Sequence, residues 1–112
     1  MPKLTYAIEF VGNMDRAVTF YRDVLGLPLK FASPDWTEFS TGETTLALHP
    51  ASEKNPAGKV EIGFEVENMP HFYQEMRAKG VNFSQAPKPQ EYGGTLALFQ
   101  DSEGAQVHAA AR

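Results

Sequence analysis

Asn13-Met14-Asp15-Arg16-Ala17-Val18-Thr19-Phe20-Tyr21-Arg22-Asp23-Val24-Leu25-Gly26 reads as one amphipathic helix with both ends marked. Asn13 is a good N-cap, and Asp15 puts negative charge in the first turn, where the helix dipole favours it. Met14, Ala17, Val18, Tyr21 and Leu25 recur at helical spacing as one apolar stripe. Gly26 supplies a left-handed residue to end the helix, and Pro28 prevents its resumption. A strand over 4–11 leads in, and a strand over 27–31 leads out. The same order returns later. Val66-Glu67-Asn68-Met69 repeats Val11-Gly12-Asn13-Met14 with one change, and Gly80 closes the second helix as Gly26 closes the first. The chain therefore reads as two copies of one module.

The first module covers 4–49, a linker 50–58, and the second module 59–111. In the first, 33–35 turns into a strand over 36–40, and Gly42-Glu43 turns into its hairpin partner over 44–49. The linker is rich in proline, glycine and polar residues. Lys59 to Val66 alternates cleanly, with Val60, Ile62, Phe64 and Val66 on one face and Glu61, Gly63 and Glu65 on the other. Asn68 caps the second helix, and Pro70 is tolerated in its first turn. A strand over 81–84 follows, then a polar loop over 86–94 that reads as a mobile lid. Strands over 95–99 and 105–111 flank the turn Asp101-Ser102-Glu103-Gly104. Aligning the copies pairs Phe39 with Phe99 and Ala47 with His108. The expected class is α+β: two tandem βαβββ modules forming a cupped mixed sheet. One helix cannot cover both faces of a four-stranded sheet, so the other face must meet a dry core, a partner chain or a ligand.

The chain has 112 residues, the size of one domain with one core. Its formal charge is −4 and its basic residues are scattered, which argues against nucleic acid and anionic membrane as main partners. It has no cysteine, hence no disulfide, thiolate nucleophile or cysteine metal site. No signal peptide or transmembrane run is visible, and a soluble cytoplasmic protein is expected.

The helix stretch 13–26 resembles the first-helix motif of the vicinal oxygen chelate superfamily, which includes glyoxalase I, fosfomycin-resistance proteins, bleomycin-binding proteins and extradiol dioxygenases. The turn Asp101-Ser102-Glu103-Gly104 resembles that superfamily's aspartate-x-x-glycine turn. The resemblance implies metal positions on the first and last strand of each module, facing the inside of the cup. They fall on Tyr6, Ala47, Glu61 and His108. Tyr6 stands where histidine, glutamine or glutamate is usual, Ala47 cannot ligate, and His108 replaces the usual glutamate. Two of four positions therefore carry metal donors, with His49, two residues from Ala47, as a displaced third.

Glu61 and His108 suit a divalent metal such as zinc, nickel, iron or manganese; they also suit a charge-assisted hydrogen bond lining a polar cup. Tyr6, Ile8 and Phe10 share a strand face and suit either ligand stacking or core filling. Trp36 either walls the cavity or fills the packed side, and Tyr92 beside Gly93-Gly94 suits closure over a ligand. Glu9 falls on the helix-packed face and reads as a frayed edge position. His49 and His71 read as surface residues. No nucleophile–base pair, phosphate-cradling glycine loop or basic stripe is present. The first expectation is a small-molecule-binding protein of the glyoxalase/bleomycin-resistance type, its cup holding an apolar or aromatic compound. The alternative is a metal-dependent lyase, isomerase or dioxygenase of the same superfamily, and a third reading is a dimer-forming domain without a ligand. A homodimer is expected, since eight strands in a short chain leave edges to cover.

Overall fold

Both helix starts are capped as the sequence requires. In the computed structural model, which describes residues 1–112, the Asn13 side chain accepts from the Arg16 amide at 3.0 Å and the Asn68 side chain from the His71 amide at 3.0 Å. The elements run β1 Lys3–Val11, α1 Met14–Thr19, β2 Leu29–Ala32, β3 Thr37–Phe39, β4 Thr45–Pro50, β5 Val60–Glu65, α2 Met69–Ala78, β6 Phe83–Pro89, β7 Thr95–Gln100 and β8 Gln106–Ala111. The chain forms two units, one of Tyr6–Val60 and one joining Met1–Thr5 to Glu61–Arg112.

Each unit repeats the other's topology. In the first, β1 pairs parallel with β4, β4 antiparallel with β3, and β3 antiparallel with β2. In the second, β5 pairs parallel with β8, β8 antiparallel with β7, and β7 antiparallel with β6. Register repeats too. Ala47 lies between Ile8 and Glu38, and His108 between Gly63 and Leu98. The alignment of Phe39 with Phe99 and of Ala47 with His108 thus corresponds to equivalent places in the two units.

Each helix covers one face of its own unit's strands. Under α1 lie Val11, Val18, Phe39 and Leu48, with Met14, Ala17, Tyr21, Leu27 and Leu46 at the margin. Under α2 lie Val66, Met69, Ala97, Ala109 and Ala111, with Phe72, Phe83 and Phe99 packed against them. The second core is built from alanines and a ring cluster, the first from branched aliphatics and one buried phenylalanine.

The structure departs from the sequence reading in five places. The first helix is regular only to Thr19; Phe20–Val24 then widens into a π-helical turn, with the Leu25 amide donating to the Phe20 carbonyl at 3.0 Å. The wider turn rotates the following residues off the stripe, and Leu25 is 56% exposed. Gly26, at φ 75°, then lets the Leu27 amide reach the Tyr21 carbonyl at 2.9 Å. The second strand runs Leu29–Ala32 rather than over 27–31. The expected lid over 86–94 begins as strand, because β6 continues to Pro89 through two register irregularities. Only a tight turn is left, closed by the Gln90 amide on the Gly94 carbonyl and the Gly93 amide on the Gln90 carbonyl, both at 3.0 Å. Val60 and Ile62 are exposed despite the alternation, since the core under α2 takes in Val66 alone of that apolar row.

Glu9 is the fifth departure. It is not a frayed edge residue: β1 is paired with β4 from Tyr6 to Val11, and the Glu9 carboxylate accepts a hydrogen bond from the Tyr21 hydroxyl. That bond, reinforced by burial and by the carboxylate's charge, pushes the Tyr21 phenol up to about 12 from 10.0. A raised folded-state pKa means that the folded chain holds the proton longer than the unfolded chain. The stabilisation is therefore complete below pH 10 and is lost as pH rises towards 12. In an ultraviolet titration Tyr21 should ionise late, and Tyr21→Phe should remove a late-ionising component. A late-ionising amplitude that Tyr21→Phe leaves undiminished would contradict the pairing.

Candidate functional site

Alternation on β1 sends Val11 and Glu9 towards α1 and Tyr6, Ile8 and Phe10 to the opposite face. On β3, Thr37 and Phe39 face the helix, with the Thr37 hydroxyl 3.4 Å from the Met14 sulfur. Glu38 between them faces away. On β4, Leu46 and Leu48 face the helix, while Ala47 and His49 do not. The helix-free face of this unit therefore carries Tyr6, Ile8, Phe10, Glu38, Ala47 and His49.

Four rings form a chain across that face. Tyr6 meets Trp36 edge to face at 6.2 Å, Trp36 meets His49 at 6.2 Å, and His49 meets Phe10 at 5.3 Å. Trp36 thus walls the helix-free side and does not fill the helix-packed core. His49 is exposed, and its Nδ1 lies 2.8 Å from the Pro50 carbonyl oxygen, an acceptor for an Nδ1–H. Ile8 and Ala47 are buried apolar residues on the same face.

Glu38 is only 7% exposed. An ionised carboxylate so placed needs donors, since desolvation without them is costly. The Trp36 indole Nε1 donates to its Oε2 at 2.7 Å, and the Tyr6 hydroxyl lies 3.5 Å from the same oxygen. Its Oε1 is met by Lys30 Nζ at 3.5 Å. Two aromatic side chains thus hold one edge of the carboxylate, and a surface lysine on β2 meets the other.

In the other unit, Glu61 on β5 and His108 on β8 do come together. His108 Nε2 lies 2.8 Å from Glu61 Oε1, with the carboxylate side chain 3% and the imidazole 22% exposed. Gln106 Nε2 donates to the second carboxylate oxygen at 3.2 Å. This is a tethered, charge-assisted pair. Tyr92 sits on the tight turn between β6 and β7 and is 83% exposed, with no hydrogen-bond or ring partner.

The donor set does not fit a resident catalytic metal. Such sites usually supply three protein ligands. Glu61 and His108 supply two, each engaged with the other, and nowhere in the chain do three His, Asp or Glu side chains gather into a metal-binding group. The matching positions of the first module hold Tyr6, near Glu38, and Ala47, a methyl group.

Sequence reasoning missed Glu38, Lys30 and Gln106. A signal for Glu38 was available: once Phe39 is aligned with Phe99 and placed on the helix side, its neighbour must point to the face of Tyr6. Lys30 and Gln106 give no comparable signal, because their roles depend on cross-strand register.

No helix is long and apolar enough to cross a membrane. The chain is 26% identical over 117 aligned positions to uncharacterized protein YraH of Bacillus subtilis (strain 168), with 90% of this chain and 91% of that protein covered. Among solved structures, hypothetical protein BH1468 from Bacillus halodurans C-125 superposes with a TM-score of 0.84 at 21% identity, covering 99% of this chain and 94% of the other. A glyoxalase/bleomycin resistance protein/dioxygenase superfamily member from Vibrio splendidus 12B01 superposes with a TM-score of 0.80 at 16% identity, with complete coverage of both chains. At those identities the likeness shows the fold. The family description itself matches residues 3–109, nearly the whole βαβββ repeat, and so the chain belongs to the Glyoxalase/Bleomycin resistance protein/Dioxygenase superfamily.

Proposed function

We propose that the protein binds a small apolar or aromatic molecule on the helix-free face of Tyr6–Val60, without a bound metal. The supporting observation is the ring chain Tyr6–Trp36–His49–Phe10 beside a buried, oriented carboxylate. Rings offer large contact area at low conformational cost, and a few fixed polar groups among them orient a ligand. The metal-dependent alternative needs a third donor beside Glu61 and His108, and neither Ala47 nor Tyr6 supplies one in the way a histidine would.

Trp36 is the only tryptophan, so its emission reports on this face alone. Phenethyl alcohol should shift or quench that emission saturably, and Tyr6→Ala should weaken binding by about fivefold, the loss of one aromatic contact. Emission unchanged up to the solubility limit of the alcohol would contradict the reading.

We also propose a homodimer. Val24, Leu25, Leu29 and Phe31 expose apolar surface around the end of the first helix and along β2, which lies at the end of the strand order. Exposed apolar side chains next to an unpaired strand edge are what association covers. Sedimentation equilibrium at micromolar concentration should give twice the chain mass of 12.4 kDa. The single-chain mass there would refute it.

A further inference from the structure

The Glu38 carboxylate is more elaborately held than a structural ion pair on this face needs. It is buried on β3, which is not covered by a helix on this side, and its Oε2 is fixed by the Trp36 indole at 2.7 Å. Its Oε1 has one partner, Lys30 Nζ, at the long distance of 3.5 Å and on a side chain that is 55% exposed. An exposed lysine at that range on an edge strand contributes little and pays side-chain entropy to stay. The carboxylate is thus rigid on one edge and loosely capped on the other. Around it stand the rings of Tyr6 and Trp36, with His49 beyond Trp36. Ring faces attract organic cations, and the attraction grows as the cation is desolvated. A loosely capped carboxylate oxygen beside aromatic rings asks for an N–H-bearing cation rather than a quaternary one, because only the former can donate to Oε1.

We propose that the ligand carries a protonated primary or secondary amine on an aromatic body, and that its ammonium displaces Lys30 from Glu38 Oε1 while its ring packs against Tyr6 and Trp36. This rests on the aromatic-face reading above and adds the charge and donor type of the ligand to it. Lys30 then acts as an internal stand-in that keeps the carboxylate neutralised when no ligand is bound.

The test uses three matched probes on the full chain at neutral pH, read by Trp36 emission and by calorimetry: phenethylamine, phenethyl alcohol and hydrocinnamate. The amine should bind at least about tenfold tighter than the alcohol, the worth of one charge-assisted hydrogen bond with a cation–π contact. Glu38→Gln keeps an acceptor for the Trp36 indole but removes the charge. It should erase the amine's advantage, bringing amine and alcohol within about twofold of each other on the variant. Lys30→Met should tighten the amine several-fold, because the competing ammonium is gone, and should widen the ratio of amine to alcohol affinity. Equal binding of amine and alcohol would overturn the amine inference and leave the aromatic-face reading standing. Tightest binding by hydrocinnamate, lost in Lys30→Met, would overturn it in favour of an anionic ligand held by Lys30. Failure of all three probes to bind would remove both readings together.

Discussion

Replacing Phe39 by alanine is expected to lower the unfolding free energy by about 3–5 kcal/mol, the range for deleting a buried aromatic ring. Phe39 is 0% exposed and sits with Val11, Val18 and Leu48 beneath α1, its ring 5.8 Å from that of Tyr21. The hole would open under a short helix that ends in a π turn, and β3 has only three residues with which to adjust. Its counterpart Phe99 is only partly buried and shares its space with Phe72 and Phe83. Those rings can lean into the gap, and Phe99→Ala is expected to cost nearer about 2 kcal/mol. Urea unfolding followed by Trp36 emission and by circular dichroism compares the two. A Phe99→Ala loss larger than that of Phe39→Ala would show that the first unit's core is not the tighter of the two.

Gly94→Ala is expected to destabilise by about 2–5 kcal/mol through two separate effects. Gly94 has φ 76°, where an L residue meets its own carbonyl at a cost of about 1–2 kcal/mol. A Cβ there would also drive into the Ala111 carbonyl oxygen on β8, an overpacking term of about 1–3 kcal/mol. Gly93 is the internal control. It has φ 96° but open space around a Cβ, so Gly93→Ala should cost only the conformational part, about 1–2 kcal/mol. Thermal unfolding of the two variants separates the effects. Equal losses would mean that the turn does not press against the end of β8.

How far the sequence can be read follows from what each feature depends on. Helix starts depend on local chemistry, and Asn13 and Asn68 announce both. The internal repeat depends on order and spacing, and both units carry it, down to the matched pairs Ile8 with Ala47 and Gly63 with His108. The π turn after Thr19 was hidden because Phe20 to Leu25 keeps a helical composition; only the hydrogen-bond spacing changes. The strand through Ala86 to Pro89 was hidden by its prolines, which β6 tolerates because it pairs on one side only and is irregular there. The pairing of Glu61 with His108 was legible through the resemblance, which put both on metal positions of the second module. The partnership of Glu9 with Tyr21 was not, because it joins a strand to a helix twelve residues away by a side-chain bond alone.

The most direct test of metal-free binding on the aromatic face is one titration done twice. Phenethylamine is titrated into the full chain, with Trp36 emission as the readout, before and after exhaustive dialysis against a strong chelator. The two isotherms should coincide within about twofold. Binding that disappears after chelation and returns with zinc, nickel, manganese or ferrous iron would contradict the account and give Glu61 and His108 back their metal.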